Sequence, residues 1–327
     1  MGVEADGDRA KGRFNISFQT VNGGKLSVTV GVPAYNERSR IGYLLRQIVD
    51  QKDVALNCVI FNVSGSTDGT NNEITSAADD CDVSSLVKII DNHARAGKAA
   101  ALNDILRTCN SDIVIFIDGD VKLEDKCLRK VLEPFLQVPS VGVVSGNVVS
   151  LNAGGGLFSF ISQLERLLHH ELCIYLTQMN QAPKVNGTFF AVKTGVINRL
   201  PNETVSDDEY ISCCAQKKGY RIAYAPEAVV YTKDPDGFQD YVARRRRIFA
   251  GHFLIRRTMG YAVPTTRFSQ IVPRLLRYTV RHKKKVFQVS IMLLLQLLAY
   301  FLAFSDVATG NIQYCYRVDS AKFQPDH

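Results

Sequence analysis

The 327-residue chain has no tryptophan, and no acidic residue between Asp240 and Asp306. Thirteen lysines and arginines fall inside that acid-free interval, while the formal net charge is only +7, so the rest of the chain is mildly acidic. A segment so one-sided has no internal counter-charge and points outward, to an anionic surface. None of the eight cysteines forms a Cys-x-x-Cys pair, which argues against a zinc site; reduced cytosolic thiols are expected. Residues 1–25 show no secretory signal; they are polar and glycine-rich, and disorder is expected there. No internal repeat is present, which excludes a solenoid or propeller.

One long apolar run does occur, at 286–305, where 20 residues carry no charge. As a helix it is roughly 30 Å long, the thickness of a bilayer core. Leucines on all sides and only two glutamines argue against a helix lying in the membrane plane. A buried core helix or a re-entrant segment fits the same composition. Arg281, Lys283, Lys284 and Lys285 precede the run, so the positive-inside rule expects everything upstream in the cytoplasm. Nucleic acid competes in general for such charge. The direct passage into an apolar run favours an anionic membrane instead. Apolar residues mixed with Arg267, Arg274, Arg277 and Arg281 over 261–281 fit a helix lying in the interface.

Upstream, strand and helix signals alternate. Strands are expected over 26–32, 58–63, 87–91, 113–117, 141–150, 185–193, 221–224 and 228–231. Helices are expected over 41–51, 70–78, 97–108, 126–136, 157–179 and 207–218. This alternation implies an α/β fold with a mostly parallel sheet and right-handed crossovers. The strand Ile113-Val114-Ile115-Phe116-Ile117 is apolar throughout, as a strand buried on both faces must be. It ends in Asp118-Gly119-Asp120, at the carboxyl edge where open α/β sheets place ligands. Two carboxylates so close repel each other unless a cation lies between them. A divalent metal with a phosphate-bearing substrate fits, since hard cations take oxygen ligands. Asp-Gly-Asp alone is also a common polar turn.

The other motifs in order decide between these readings. They are Val32-Pro33-Ala34-Tyr35-Asn36-Glu37, Gly65-Ser66-Thr67-Asp68-Gly69-Thr70, and Ala96-Gly97-Lys98 continuing to Asn103. Beyond Asp118-Gly119-Asp120 come Asp207-Asp208 and Arg244-x-x-Arg247-Ile248. From about Val28 to Gly251 the chain resembles the family-2 glycosyltransferases. That resemblance implies the GT-A nucleotide-sugar-binding fold, a UDP- or GDP-linked donor, and Mn²⁺ or Mg²⁺. The implied division is a catalytic domain over 26–255, a basic interfacial segment over 256–285, a spanning helix over 286–305 and a tail over 306–327.

The resemblance gives Asp120 the metal and leaves Asp118 to orient the ribose or donor sugar. Lys98 follows a glycine at a helix amino terminus, where free N–H groups and the helix dipole favour phosphate. Pro33, Tyr35 and Glu37 lie on the loop where a base could stack and hydrogen-bond; Tyr35 is equally a packed loop aromatic. Ser64 stands where the family commonly has an acid, and a hydroxyl accepts from a base imide more weakly than a carboxylate does. Asp68 closes its turn and serves structure at least as much as binding. Asp208 is the candidate general base of an inverting transfer, with Asp207 and Glu209 expected to raise its pKa. Three acids opening a helix are equally a capping device. Arg244 and Ile248 replace the Gln and Trp of the membrane-embedded branch, which removes a sugar-stacking surface. Arginine forks suit phosphate, so donor diphosphate or a lipid-linked phosphate is expected there.

The reading is a metal-dependent inverting glycosyltransferase at the cytoplasmic membrane face, acting on a lipid-linked or saccharide acceptor. One span lines no pore, so a single transfer or short extension is expected unless the protein oligomerises. The alternatives are a non-catalytic nucleotide-sugar-binding scaffold and a nucleotidyltransferase.

Overall fold

A computed structural model describes residues 26–312 apart from Ala153. The expectation for 1–25 and most of that for the tail lie outside the described residues. Eight strands form one sheet in the order β3-β2-β1-β4-β7-β6-β8-β5. They are β1 (Val28–Ala34), β2 (Cys58–Ser64), β3 (Val87–Asn92), β4 (Ile113–Ile117), β5 (Val121–Leu123), β6 (Val141–Ser150), β7 (Phe189–Lys193) and β8 (Arg221–Thr232). Helices α1 (Arg38–Val49), α2 (Thr70–Asp80), α3 (Lys98–Thr108), α4 (Cys127–Gln137), α5 (Leu157–Gln178) and α6 (Asp207–Lys217) alternate with the strands.

β4 shows why the apolar run is unbroken. Ile113, Ile115 and Ile117 enter the core shared with Ile41, Leu44, Leu45, Leu128 and Leu132 from α1 and α4. Val114 and Phe116 enter the opposite core, with Leu102 and Ile105 of α3 and Ile211 of α6. Alternate side chains thus serve two helical layers.

The sheet departs from all-parallel at β5, which pairs antiparallel with β8, and more decisively at β7. β7 runs antiparallel to both β4 and β6, pairing Ile117 with Phe189 and Ile113 with Lys193. Its first residue therefore meets the last residue of β4. The loop just before β7 is carried to the carboxyl edge, beside Asp118, whose N–H donates to Thr188 O at 3.0 Å. Residues 185–188, expected as strand, are part of this loop. The two short strands expected near 221 and 228 are one strand, β8, with a register break opposite Gly146 and Asn147. A Cβ at Gly146 would lie 2.1 Å from Phe189, so only glycine fits there.

Three further helices follow: α7 (Phe238–Met259), α8 (Phe268–Arg281) and α9 (Val286–Thr309). Val272, Leu276 and Val280, four residues apart on α8, are exposed. α9 belongs to the single stretch among the described residues, Lys283–Thr309, that is long and apolar enough to cross a membrane. It does not stand apart from the domain. Val289, Met292 and Ala299 pack on Ile161, Leu164 and Leu168 of α5 and on Tyr241 and Val242 of α7. The other side of α9 is exposed, with Leu294 and Phe301 each at 65%.

Candidate active site

The site forms where β4 ends. Gly97 adopts φ 83° and opens α3, which places Lys98 at the first helical position. Lys98 Nζ donates to Asp118 Oδ1 at 2.6 Å and to Gly187 O at 2.9 Å, and lies 3.7 Å from Asp207 Oδ2. One ammonium thus ties together α3, the end of β4, the loop before β7 and the start of α6. Burial opposes the charge on Lys98, but Asp118 and Asp207 more than offset this and hold it protonated. Burial raises the pKa of Asp118, Lys98 works against the rise, and Asp120 adds to it. Asp207 is raised chiefly by burial, and its Oδ2 is buried without a hydrogen-bond partner among the described residues.

Asp208 also interacts with the charge of this lysine, and its pKa is shifted opposite to expectation. Burial pushes its carboxyl up, but the Lys184 ammonium and then Lys98 carry it below the ordinary aspartate range. Lys184 Nζ donates to Asp208 Oδ2 at 3.1 Å and to Val185 O at 3.0 Å, and meets Glu209 Oε1 at 2.8 Å as an ion pair. Glu209 takes the upward shift instead: fully buried, it is pushed up to about 7 by burial. Asp207, Asp208 and Glu209 do occupy the first turn of α6, so the helix dipole still favours them.

The four consecutive arginines of α7, 244–247, point to four places, as successive helical residues must. Arg244 pairs with buried Asp234, which also takes both arms of Arg166 at 3.1 and 2.7 Å. Arg245 lies 3.8 Å from Glu165 and 4.8 Å from the Phe249 ring centroid. Arg246 pairs with Asp306 of α9. Arg247 is exposed in the cleft and interacts with the charges of Asp207, Asp118 and Asp208. Arg244 also interacts with the charge of Asp120. Asp118, Asp120, Asp207, Asp208, Lys98, Arg244 and Arg247 therefore converge on one cleft.

The remaining expected residues lie along the neighbouring edge, and several have structural partners. Glu37 is buried against Arg40 at 2.7 Å, and its N–H donates to Thr70 Oγ1. The Arg95 guanidinium lies 4.2 Å from the centroid of the Tyr35 ring. Pro33 is half-buried in β1. The Ser64 hydroxyl donates to Asn62 Oδ1 at 2.8 Å, within a network in which Asn62 and Asn92 donate to Asp104. Asp68 closes its turn through Thr70 and the Arg38 N–H. Burial raises the Asp68 carboxyl, but these hydrogen bonds leave it lowered overall.

Lys184, Arg166 and Asp234 went unremarked in the sequence. Arg166 sits in α5 among Glu165, His169, His170 and Glu171, so no local signal singles it out, and nothing local ties Lys184 to a helix that begins 23 residues later.

The donor chemistry fits a divalent cation held together with a diphosphate. Among the described residues no cluster of three His, Cys, Asp or Glu side chains is built to hold a metal alone. Mg²⁺-type ions commonly take one or two carboxylates and complete their shell with substrate phosphate and water. Asp120 offers such a carboxylate, and Asp118 beside it is bound by Lys98.

A family model described as "Glycosyltransferase like family 2" matches residues 25–251. "Probable glycosyltransferase YdaM" of Bacillus subtilis is 22% identical over 236 residues, covering 69% of this chain and 55% of that protein. Poly-beta-1,6-N-acetyl-D-glucosamine synthase of Staphylococcus aureus is 24% identical over 249 residues, covering 74% and 58%. The chain thus spans little more than half the length of these curated relatives. Among solved structures, the mannosyltransferase PcManGT of Pyrobaculum calidifontis, in complex with GDP-Man and Mn2+, superposes with a TM-score of 0.58 at 24% identity, covering 87% of this chain and 74% of that one. Glucosyl-3-phosphoglycerate synthase of Mycobacterium tuberculosis, in complex with Mn2+, UDP and phosphoglyceric acid, gives 0.50 at 21% identity, covering 71% and 78%. The likeness establishes the GT-A type of α/β fold.

Proposed function

The chain belongs to glycosyltransferase-like family 2, and from that premise we propose that it is a metal-dependent, inverting glycosyltransferase of the cytoplasmic membrane face. The observation that carries the reading is the Lys98 bridge, which sets Asp118 and Asp207 on either side of one ammonium. It puts the Asp-x-Asp turn and the acids of α6 within one cleft, as a displacement with donor and acceptor on opposite sides requires.

Asp120 would hold Mn²⁺ or Mg²⁺ together with the donor diphosphate. The ion, when bound, supplies Lewis-acid neutralisation of the charge that builds on the leaving diphosphate. Asp118, oriented by Lys98, would position the ribose or the donor sugar. Tyr35, Pro33 and Ser64 would flank the base, with Glu37 and Asp68 holding the loops that carry them. Arg247 and Arg244 would face the phosphates of a UDP- or GDP-linked donor or of a lipid-linked acceptor. Asp208 would take the proton of the acceptor hydroxyl. The acceptor oxygen then bonds to the anomeric carbon, and the sugar–phosphate bond breaks with its electron pair leaving on the diphosphate.

α9 and the exposed apolar edge of α8 support a seat on an anionic membrane, with a lipid-linked or saccharide acceptor. The mannosyl, glucosyl and N-acetylglucosaminyl relatives keep both hexosyl and N-acetylhexosaminyl transfer within the proposal. The deciding experiment incubates the full chain in detergent with UDP-glucose, UDP-N-acetylglucosamine or GDP-mannose and Mn²⁺, and follows nucleoside diphosphate release. Release from none of them, alongside pyrophosphate release from a nucleoside triphosphate, would replace this reading with nucleotidyl transfer.

A further inference from the structure

Lys184 lies outside every motif of the chain, yet its side chain is only 14% exposed and its ammonium meets three oxygens. Its three contacts are Val185 O, Asp208 Oδ2 and Glu209 Oε1. Asp208 Oδ2 also accepts the Gly187 N–H at 3.2 Å, and Oδ1 accepts the N–H of Glu209 at 2.9 Å. The carboxylate therefore cannot rotate without losing bonds from two separate segments. The far end of the bridge is held by charge alone. Glu209 is fully buried, and neither of its carboxyl oxygens has a hydrogen-bond partner among the described residues. A buried acid left this poorly solvated is retained at a cost that packing alone does not require.

We infer that Lys184 is a positioning residue for the reaction: bridged to Glu209, it holds the Asp208 carboxylate ionised and aimed into the cleft. The inference rests on Asp208 being the base. The charges that face Asp208 come from every element around it: Lys184 before β7, Lys98 of α3, Asp207 and Glu209 of α6, His169 of α5, and Arg247 and His252 of α7. Both histidines are pushed down to about 3, first by burial and next by Lys184, so they are neutral at working pH. Lys184, Lys98 and Arg247 are then the cations that face Asp208, and Lys184 lowers it most strongly. Removing it leaves Lys98 and Arg247 against burial and two neighbouring acids, which disfavour the ionised base.

The test is the pH profile of nucleoside diphosphate release by the full chain in detergent. It uses Mn²⁺ and whichever of UDP-glucose, UDP-N-acetylglucosamine or GDP-mannose is turned over. Lys184→Met should lower kcat by about 10-fold or more with donor KM nearly unchanged, and move the acid limb up by about one pH unit or more. Lys184→Arg restores the cation and should return the limb to its wild-type position with most of the rate. If Lys184→Met does not fold, the charge-balanced pair Lys184→Met with Glu209→Gln is measured instead, with the same upward shift expected. An unmoved limb overturns the inference, whether kcat is normal or falls together with donor binding. Asp208→Asn separates the two readings. Normal turnover there retracts the base assignment, whereas its loss beside an unaffected Lys184→Met retracts only the role of Lys184.

Discussion

Gln296, in the middle of the apolar helix α9, donates to Glu165 Oε1 of α5 at 2.8 Å. The Tyr241 hydroxyl donates to the same oxygen at 2.6 Å. A helix expected as a separable anchor is thus joined to the domain by polar bonds as well as by apolar packing.

Truncation before Val286 should therefore do more than detach the protein from a membrane. It uncovers Ile161, Leu164, Tyr241 and Val242 and removes Asp306 from Arg246. Each large apolar side chain so exposed costs about 1.5–3 kcal/mol. We expect a melting temperature several degrees lower and a residual, salt-sensitive affinity for anionic vesicles through the basic segment. The full chain should resist high salt and need detergent. Extraction of the full chain by salt alone would show that α9 does not span.

Asp120→Asn should remove metal-dependent transfer by about 10²-fold or more while leaving the thermal transition unchanged. The residue is half-buried, and asparagine keeps its size and shape while removing the charge. Excess chelator should act on the wild type as the substitution does. Full activity in either case would remove the metal from the proposal.

Asp234→Asn should be the most destabilising of the charge changes. Asp234 is 3% exposed and answers both Arg166 and Arg244. Leaving two guanidinium groups uncompensated costs about 3–5 kcal/mol. Burial raises the Asp234 carboxyl, but the two arginines more than reverse this and hold it far below the ordinary range. A depressed carboxyl stabilises above its unfolded pKa, and that contribution is lost as the pH falls through the folded value. Acid unfolding of wild type should show this loss, and the asparagine variant should not.

Glu209 should behave in the opposite sense. Its carboxyl rises from 4.5 to about 7 on folding, through burial. Between these values the folded state binds more protons than the unfolded chain, so stability falls as the pH rises. Glu209→Gln should remove this decline and make the protein more stable than wild type near neutral pH, by a few kcal/mol at most. Urea unfolding across that pH window reads the difference; parallel profiles for the two proteins would contradict the assignment.

The sequence by itself determined the local chemistry. The unbroken run of β4 reports burial on both faces, because only such a strand can do without polar side chains. Gly97 before Lys98 marks the start of α3, and Asp118-Gly119-Asp120 marks a strand end, because these choices answer backbone and dipole constraints within a few residues. Direction and partnership were decided only in three dimensions. Local pattern does not distinguish a parallel from an antiparallel β7, yet that choice brings Lys184 and Gly187 against Asp208. Four arginines in a row look alike in sequence. On α7 they turn to Asp234, Glu165, Asp306 and the cleft, because a helix rotates each residue by about 100° from the last. Twenty uncharged residues read the same whether they meet lipid or protein. On α9 the tertiary structure divides them, turning Val289, Met292, Ala299 and Ala303 to the domain and Leu294 and Phe301 outward, because burial depends on what lies opposite a side chain and not on what lies beside it in the chain.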